Sequence, residues 1–271
     1  MPLVKYYPGD TFFHKLDPRV KIVWMFLLFI LAFIFNHPLH LGIILLSVIL
    51  LWEYVGIPFR EIGAIAKALI IISAVTFIFQ LLFYPGTHEI FVIPIPTWIP
   101  YFGGAIVATK EGVVNGVAMV LRLFIIVMSM PTITMTTSIE RLMVGLIEMG
   151  IPYTIVFAFT TALNLVPALE SEVRMIVDAQ RARAYTALEK GGLREKLRAY
   201  IPLIVPLMVN SMRRGRQLEI AMESRAFGAY KRRTYLIELK MRLSDYLFLT
   251  AILSVLILCV FLRISLGFGK L

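Results

Sequence analysis

Long apolar runs alternate with short polar turns along this chain, and one long segment breaks the pattern by mixing apolar stripes with charge. A helix gains about 1.5 Å per residue and the hydrocarbon core of a bilayer is about 30 Å thick, so a span needs about 20 mostly apolar residues. Such runs are predicted at about Val20 to Asn36, Leu39 to Gly56, Ala64 to Tyr84, Gly112 to Met130 and Tyr246 to Leu262. Between the third and fourth, Pro85, Pro94, Pro96 and Pro100, with Gly86, Gly103 and Gly104, forbid a continuous helix. That stretch is too apolar for a free loop. It reads as an outer segment at the membrane interface, with Trp98 and Tyr101 at headgroup level, and a strand or hairpin there is compatible with its residues.

The exceptional segment runs from Thr137 to Asp245 and carries 17 Lys or Arg and 11 Asp or Glu. After Pro152, apolar residues recur at Ile155, Phe159, Leu163, Val166, Leu169, Val173 and Ile176, in the steps of three and four of a single helical stripe. Charge begins only at Glu170. A second helix starts near Pro202, is apolar through Met212 and turns basic at Arg213-Arg214-Gly215-Arg216. Each helix is too broken by charge for an ordinary span and too apolar for a free soluble helix.

The ends of these two helices repeat. Ala179-Gln180-Arg181-Ala182-Arg183-Ala184-Tyr185 matches Ala221-Met222-Glu223-Ser224-Arg225-Ala226-Phe227 as Ala-x-x-small-Arg-Ala-aromatic, with Gly191-Gly192 and Gly228 beyond. Arg183 follows Ile176 by seven residues and Arg225 follows Leu218 by seven, so each projects from its apolar stripe. A cation at a helix C-terminus is favoured by the dipole, by about 0.3–1 kcal/mol. That accounts for an arginine at each end but not for the repeated small neighbours, which suit insertion into a groove on a partner.

The chain has 271 residues, 59% of them apolar and 16% charged, with a mean hydropathy of +0.83. These values exclude disorder and leave too little charge for a water-soluble exterior, so the chain is an integral membrane protein. Its net charge of +10 follows the turns unevenly. Lys5, Lys15, Arg19 and Lys21 precede the first span, the next turn has no basic residue, Arg60 and Lys67 follow the second span, and Lys110 alone lies between the third and fourth. The excess of positive charge on cytoplasmic loops then places the N-terminus and the long basic segment in the cytoplasm, and the tail after the fifth span outside. The resulting plan is a cytoplasmic segment 1–21, spans one to four in 22–136, a cytoplasmic helical domain 137–245, a fifth span 246–263 and a tail 264–271. Cys259 lies in an apolar run and reads as a small hydrophobe.

Catalytic motifs are missing. There is no Gly-x4-Gly-Lys-Ser/Thr phosphate loop, no His-Glu-x-x-His and no Gly-x-Ser-x-Gly. His37 and His40 bracket a turn with no carboxylate near, and Asp10, Asp17, Asp178 and Asp245 fall outside the predicted spans. The chain reads as a non-enzyme with no cofactor or metal of its own. Arg122 is the one basic residue well inside a span, where pairing with backbone carbonyls competes with a role in an ion path shared with Asn115 and Ser129. The basic clusters 213–216 and 231–233 suit either a solvated face or anionic lipid, and Met208, Met212 and Met222 suit either ordinary core or contact with a membrane partner.

Several stretches together resemble the transmembrane T component of energy-coupling factor (ECF) transporters, a class of ABC-type importer. Pro8-Gly9 followed by His14-Lys15-Leu16-Asp17-Pro18-Arg19 is similar to that family's N-terminal signature. Thr109-Lys110-Glu111-Gly112 through Gly116, with Leu121-Arg122, resembles the start of its fourth span, and Thr134-Met135-Thr136-Thr137-Ser138 with Gly145-Leu146 its following turn. Glu170-Ser171-Glu172 through Arg183, and Ala221 through Arg225, resemble its two coupling-helix ends. The resemblance implies an all-α polytopic fold of about five transmembrane helices with long crossing coupling helices. It also implies that Ala182, Arg183, Ala184, Ser224, Arg225 and Ala226 dock on two ABC-type ATPase subunits. ATP and Mg would bind in those subunits, and a small substrate-binding membrane subunit would carry the vitamin or metal ion. The alternative is a generic ABC permease that forms its own path. This chain departs from the commonest family form in having alanine after each arginine, a residue that favours helix by about 1 kcal/mol over glycine.

Overall fold

The computed structural model describes residues 6–57, 63–84, 86, 88–95, 104–183, 200–230, 235 and 238–266. They form an all-α polytopic membrane protein with one short β-hairpin. In chain order the elements are α1 Phe12–Lys15, α2 Pro18–Ile34, α3 Pro38–Val55, α4 Gly63–Phe83, β1 Glu89–Ile95, β2 Gly104–Thr109, α5 Lys110–Thr136, α6 Ile139–Glu148, α7 Tyr153–Ala182, α8 Ile201–Ser224 and α9 Leu243–Leu266. The described residues fall into two compact units. One holds the residues up to Met149 together with those from Leu239 onward, and the other is Gly150–Glu238.

The five predicted spans fall on the helices α2, α3, α4, α5 and α9, their ends shifted by a few residues, and of these α3, α5 and α9 have the length and apolarity of a full span while α2, at 17 residues, does not. The largest shift is in α5, which continues through Pro131 to Thr136. By length and composition α3, α5, α7 and α9 can each cross a membrane, and α4 contributes the shorter apolar stretch Lys67–Phe83. α7 qualifies through its uncharged first half, which the charges after Glu170 had set apart from the spans. The Pro-rich segment between α4 and α5 contains an antiparallel ribbon, with Glu89 opposite Thr109 and Ile95 opposite Gly104. Trp98 and Tyr101, expected at headgroup level, lie outside the described residues.

In the first unit α5 packs against α2, α3 and α4, while α9 and α6 pack against α2. Trp52 is fully buried with Phe13, Leu16, Trp24 and Val48, and a second cluster joins Leu31, Ala32, Leu41 and Ile125. The Trp52 indole donates to the Thr132 hydroxyl at 2.6 Å and to the Met128 carbonyl at 3.2 Å, fixing α3 to α5 beside Pro131.

Six residues of the N-terminal signature, Gly9, His14 and Leu16 to Arg19, are engaged in the packing and hydrogen bonding of this unit. Gly9 lies against His14, and a Cβ there would stand 2.6 Å from the imidazole. The buried His14 ring donates to the Tyr7 carbonyl through Nε2 and accepts from the Thr11 hydroxyl at Nδ1. Leu16 enters the core. Asp17 caps α2 by accepting from the Arg19 N–H at 2.9 Å, and its own N–H donates to the buried Asp245 carboxylate at 3.1 Å. Asp245, placed by the run boundaries just before the last span, sits in the first turn of α9. Pro18 packs at the first helical position against Gly145 of α6, where a Cβ would come within 3.1 Å, and Arg19 pairs with Glu148 at 2.7 Å.

Cations also close the helix ends of this unit. The fully buried Lys21 ammonium donates to the Thr136 carbonyl at 3.1 Å and to the Thr137 hydroxyl at 2.9 Å, at the end of α5. Arg122 donates to the Ala32 carbonyl at 2.8 Å, the Phe35 carbonyl at 3.1 Å and the Asn36 amide oxygen at 3.2 Å, and Arg263 donates to the Ile34 carbonyl. Lys21→Met and Arg122→Met each leave buried carbonyls unpaired. Each is expected to destabilise the first unit by about 1–3 kcal/mol, read as a lower unfolding temperature of the detergent-solubilised chain with insertion intact.

Burial pushes the His14 imidazole below its ordinary value, outweighing the hydrogen bond to the Tyr7 carbonyl, which acts to raise it. The folded chain therefore holds His14 neutral where the unfolded chain takes a proton. This contribution to stability is intact above pH 6.5 and is lost as pH falls below it, until the folded group itself protonates. Thermal unfolding against pH should show that slope in the parent and a flatter one in His14→Gln.

Candidate functional site

The second unit is built on α7 and α8, which run antiparallel. Arg214 of α8 reaches the buried Glu172 of α7 at 3.7 Å, and the Phe227 ring just past α8 lies 4.7 Å from Phe157 and 6.0 Å from Tyr153 at the start of α7. Arg183 and Arg225 each lie eleven residues beyond the Glu172–Arg214 contact (172 to 183, 214 to 225). The antiparallel arrangement sends those steps in opposite directions. At about 1.5 Å per residue the two arginines are roughly 30 Å apart, at opposite ends of the pair.

Arg183 is the C-cap of α7, its N–H donating to the Ala179 and Gln180 carbonyls, and Ala182 is the last helical residue. Ala184 and Tyr185 lie outside the described residues. Arg225 is the C-cap of α8, preceded by Ser224, whose hydroxyl donates to the Ala221 carbonyl. Both arginine side chains are exposed.

The α8 end closes as a Schellman turn: the Phe227 N–H donates to the Met222 carbonyl at 2.9 Å and the Ala226 N–H to the Glu223 carbonyl at 3.0 Å. Such a turn requires a left-handed residue after the cap, a place usually filled by glycine. Ala226 takes it with φ +54°, and it is the one described non-glycine residue with positive φ. An L-residue there costs about 1–2 kcal/mol. Phe227 offsets this by seating the turn on Phe157 and Tyr153. A cavity of about 610 Å³ opens beside it, lined by Tyr153, Phe157, Leu218, Arg225, Phe227 and Tyr230.

Sequence reasoning placed the arginines but missed Tyr153 and Phe157, which sit about seventy residues from their partner Phe227. The aromatic at the end of the repeated pattern was the only trace of them. The predicted stripe on α7 is largely uncovered, with Ile155 and Phe159 exposed, and α8 exposes Val205, Met208, Val209 and Met212. A large uncovered apolar surface of this kind marks a partner or a lipid.

The polar residues weighed as a solute path in the first unit are occupied. Asn115 donates to the Gln80 amide oxygen at 3.2 Å, Ser129 to the Ile126 carbonyl at 2.9 Å, and Arg122 closes the end of α2. Among the described residues no group of three or more His, Cys, Asp or Glu is placed to hold a metal ion.

Residues 9–236 match the family model CbiQ, described as cobalt transport protein. The chain is 30% identical over 269 residues to the energy-coupling factor transporter transmembrane protein EcfT of Acidaminococcus fermentans, with 96% of both chains covered. It is 30% identical to the EcfT protein of Staphylococcus aureus over 96% of both chains, and 32% identical to that of Bacillus selenitireducens over 92% of both. Similarity that extends from the Gly9–His14 contact past both arginine ends leaves a single conclusion: this chain belongs to the EcfT family of energy-coupling factor transporter transmembrane proteins.

Proposed function

We propose that the chain is the coupling subunit of an ECF-type importer, passing the movement of two ABC-type ATPase subunits to a small substrate-binding membrane subunit during uptake of a vitamin or metal ion. The observation that carries this reading is the pair of exposed arginines, Arg183 and Arg225, at the opposite ends of one antiparallel helix pair. Two equivalent anchors roughly 30 Å apart on a stiff element suit a pair of subunits that approach each other as ATP binds. Each arginine, with Ala182 and Ala184 or Ser224 and Ala226 beside it, would enter a groove on one ATPase. ATP and Mg belong to those subunits. The exposed apolar surface of α7 and α8, including Met208 and Met212, would bear on the substrate-binding subunit, and motion at the tips would tilt that surface. The N-terminus and the second unit face the cytoplasm in this scheme, and the C-terminus lies outside. It is favoured over a permease with its own pore because Asn115, Arg122 and Ser129 are all engaged in hydrogen bonds within the first unit.

A mild-detergent pull-down of the tagged chain from its native membranes should recover two ATPases and a small membrane protein. The Arg183→Ala/Arg225→Ala chain should lose the ATPases, since a buried interface arginine is worth about 2 kcal/mol, roughly thirtyfold in affinity for each tip. Uptake by the assembled complex should fall with it while the spans still insert. Full transport by the double variant would sink the mechanism.

Ala226→Gly removes the left-handed strain without touching Arg225. It should stabilise the α8 end by about 1 kcal/mol and leave transport intact. Slower amide exchange at residues 222–227 is the measurement.

A further inference from the structure

A second cavity, of about 490 Å³, lies wholly within the first unit and is lined by Tyr6, Asp10, His14, Lys15, Arg141 and Arg242 together with Pro8 and Gly9. We propose that it is a phosphate-binding site, of a size and position to take the headgroup of an anionic phospholipid. The assignment is independent of the coupling reading, because none of its residues belongs to the α7–α8 pair.

Three cations reach this cavity from three separate parts of the chain. Lys15 ends α1, Arg141 lies in the first turn of α6, and Arg242 immediately precedes α9. The opposing charge is one carboxylate, Asp10, which is fully exposed and approaches Lys15 only to 4.0 Å. Among the described residues no carboxylate pairs with the guanidinium of Arg141 or Arg242. Asp245 holds Arg242 by its backbone N–H, at 2.7 Å, and so leaves the side chain to the cavity. Guanidinium groups present forked donors that match phosphate oxygens. His14 forms a wall and not a ligand, since both ring nitrogens are engaged by Thr11 and Tyr7.

Position selects the ligand. The Lys21 bond to Thr136 and the Asp17 bond to Asp245 bring the start of α2, the end of α5 and the start of α9 together at one end of the bundle, the end at which helices of spanning length leave the hydrocarbon. The cavity sits at that level, where spans leave the hydrocarbon and headgroups lie. Beyond Arg242, α9 presents exposed Leu243, Tyr246 and Leu247, an apolar path on which an acyl chain can rest while its phosphate meets the cations. A free phosphate would use the cations alone.

Native mass spectrometry of the full chain tests this, with separate titrations of phosphatidylglycerol, phosphatidylcholine and inorganic phosphate. The expected result is a phosphatidylglycerol adduct that the Arg141→Gln/Arg242→Gln chain holds roughly thirtyfold more weakly, the loss of two cations at headgroup level. Arg141→Lys/Arg242→Lys should keep the adduct, and so should Arg213→Gln/Arg216→Gln, which removes charge from exposed positions on α8. A tight adduct with inorganic phosphate that excludes phosphatidylglycerol would support the site with a soluble source in place of the lipid. An adduct unchanged in the Gln pair, or weakened equally by the α8 pair, would overturn the proposal. So would loss in the Lys pair as well, which would trace the effect to the fold.

Discussion

The last carbonyls of a helix have no partner within it, and where they are buried from water, as at the ends of α2 and α5, this chain satisfies them with cations sent from neighbouring helices. Lys21 of α2 closes the end of α5, and Arg122 of α5 with Arg263 of α9 closes the end of α2. Because α2 and α5 each supply the cap for the other, neither can shift without exposing unpaired polar groups. Asp17 and Asp245 perform the complementary task for backbone N–H groups at the starts of α2 and α9. Arg122, the residue that invites an ion-path interpretation, is thereby a fastener of the first unit, and the unit gains a fixed frame from charges that would be costly if unpaired.

In the second unit the constraint is different. Among the described residues α7 and α8 meet through the Glu172–Arg214 ion pair and the aromatic cluster at Phe227, and they expose much of the rest of their apolar surface. Strain is concentrated at the α8 end, where Ala226 occupies a conformation better suited to glycine. The Schellman bonds and the tilted ring contacts of Phe227 with Phe157 and Tyr153 hold it there, and the result is a hydrogen-bonded turn with the exposed Arg225 at its cap. The alanine after the arginine therefore changes the cost of the local geometry and leaves its shape as a glycine would have it.

Much of this was legible in the sequence, because burial in a bilayer leaves a coarse signal. Apolar runs of fixed length gave α2, α3, α4, α5 and α9 within a few residues, and prolines and glycines marked the segment between α4 and α5 as non-helical. The stripe from Ile155 to Ile176 and the repeated arginine ends gave α7, α8 and their tips, since a helical period and a helix stop are local properties. Length and mean apolarity admit α7 as a span as well, although its first half is less apolar than α3, α5 and α9; only the charges after Glu170 set it apart.

Tertiary structure alone decided the pairings. Nothing near Lys21 in the sequence points to Thr136, and nothing near Arg122 points to Ala32, since a hydrogen bond across about a hundred residues leaves no periodic trace. The same holds for Phe227 on Tyr153 and Phe157, for Gly145 against Pro18, and for the convergence of Lys15, Arg141 and Arg242 on one cavity. The antiparallel run of α7 and α8 turned two similar motifs into two separated ends. Local chemistry determined which segments are helices and where they stop; long-range packing determined which charges meet, because that depends on distances the chain sets only once it is folded.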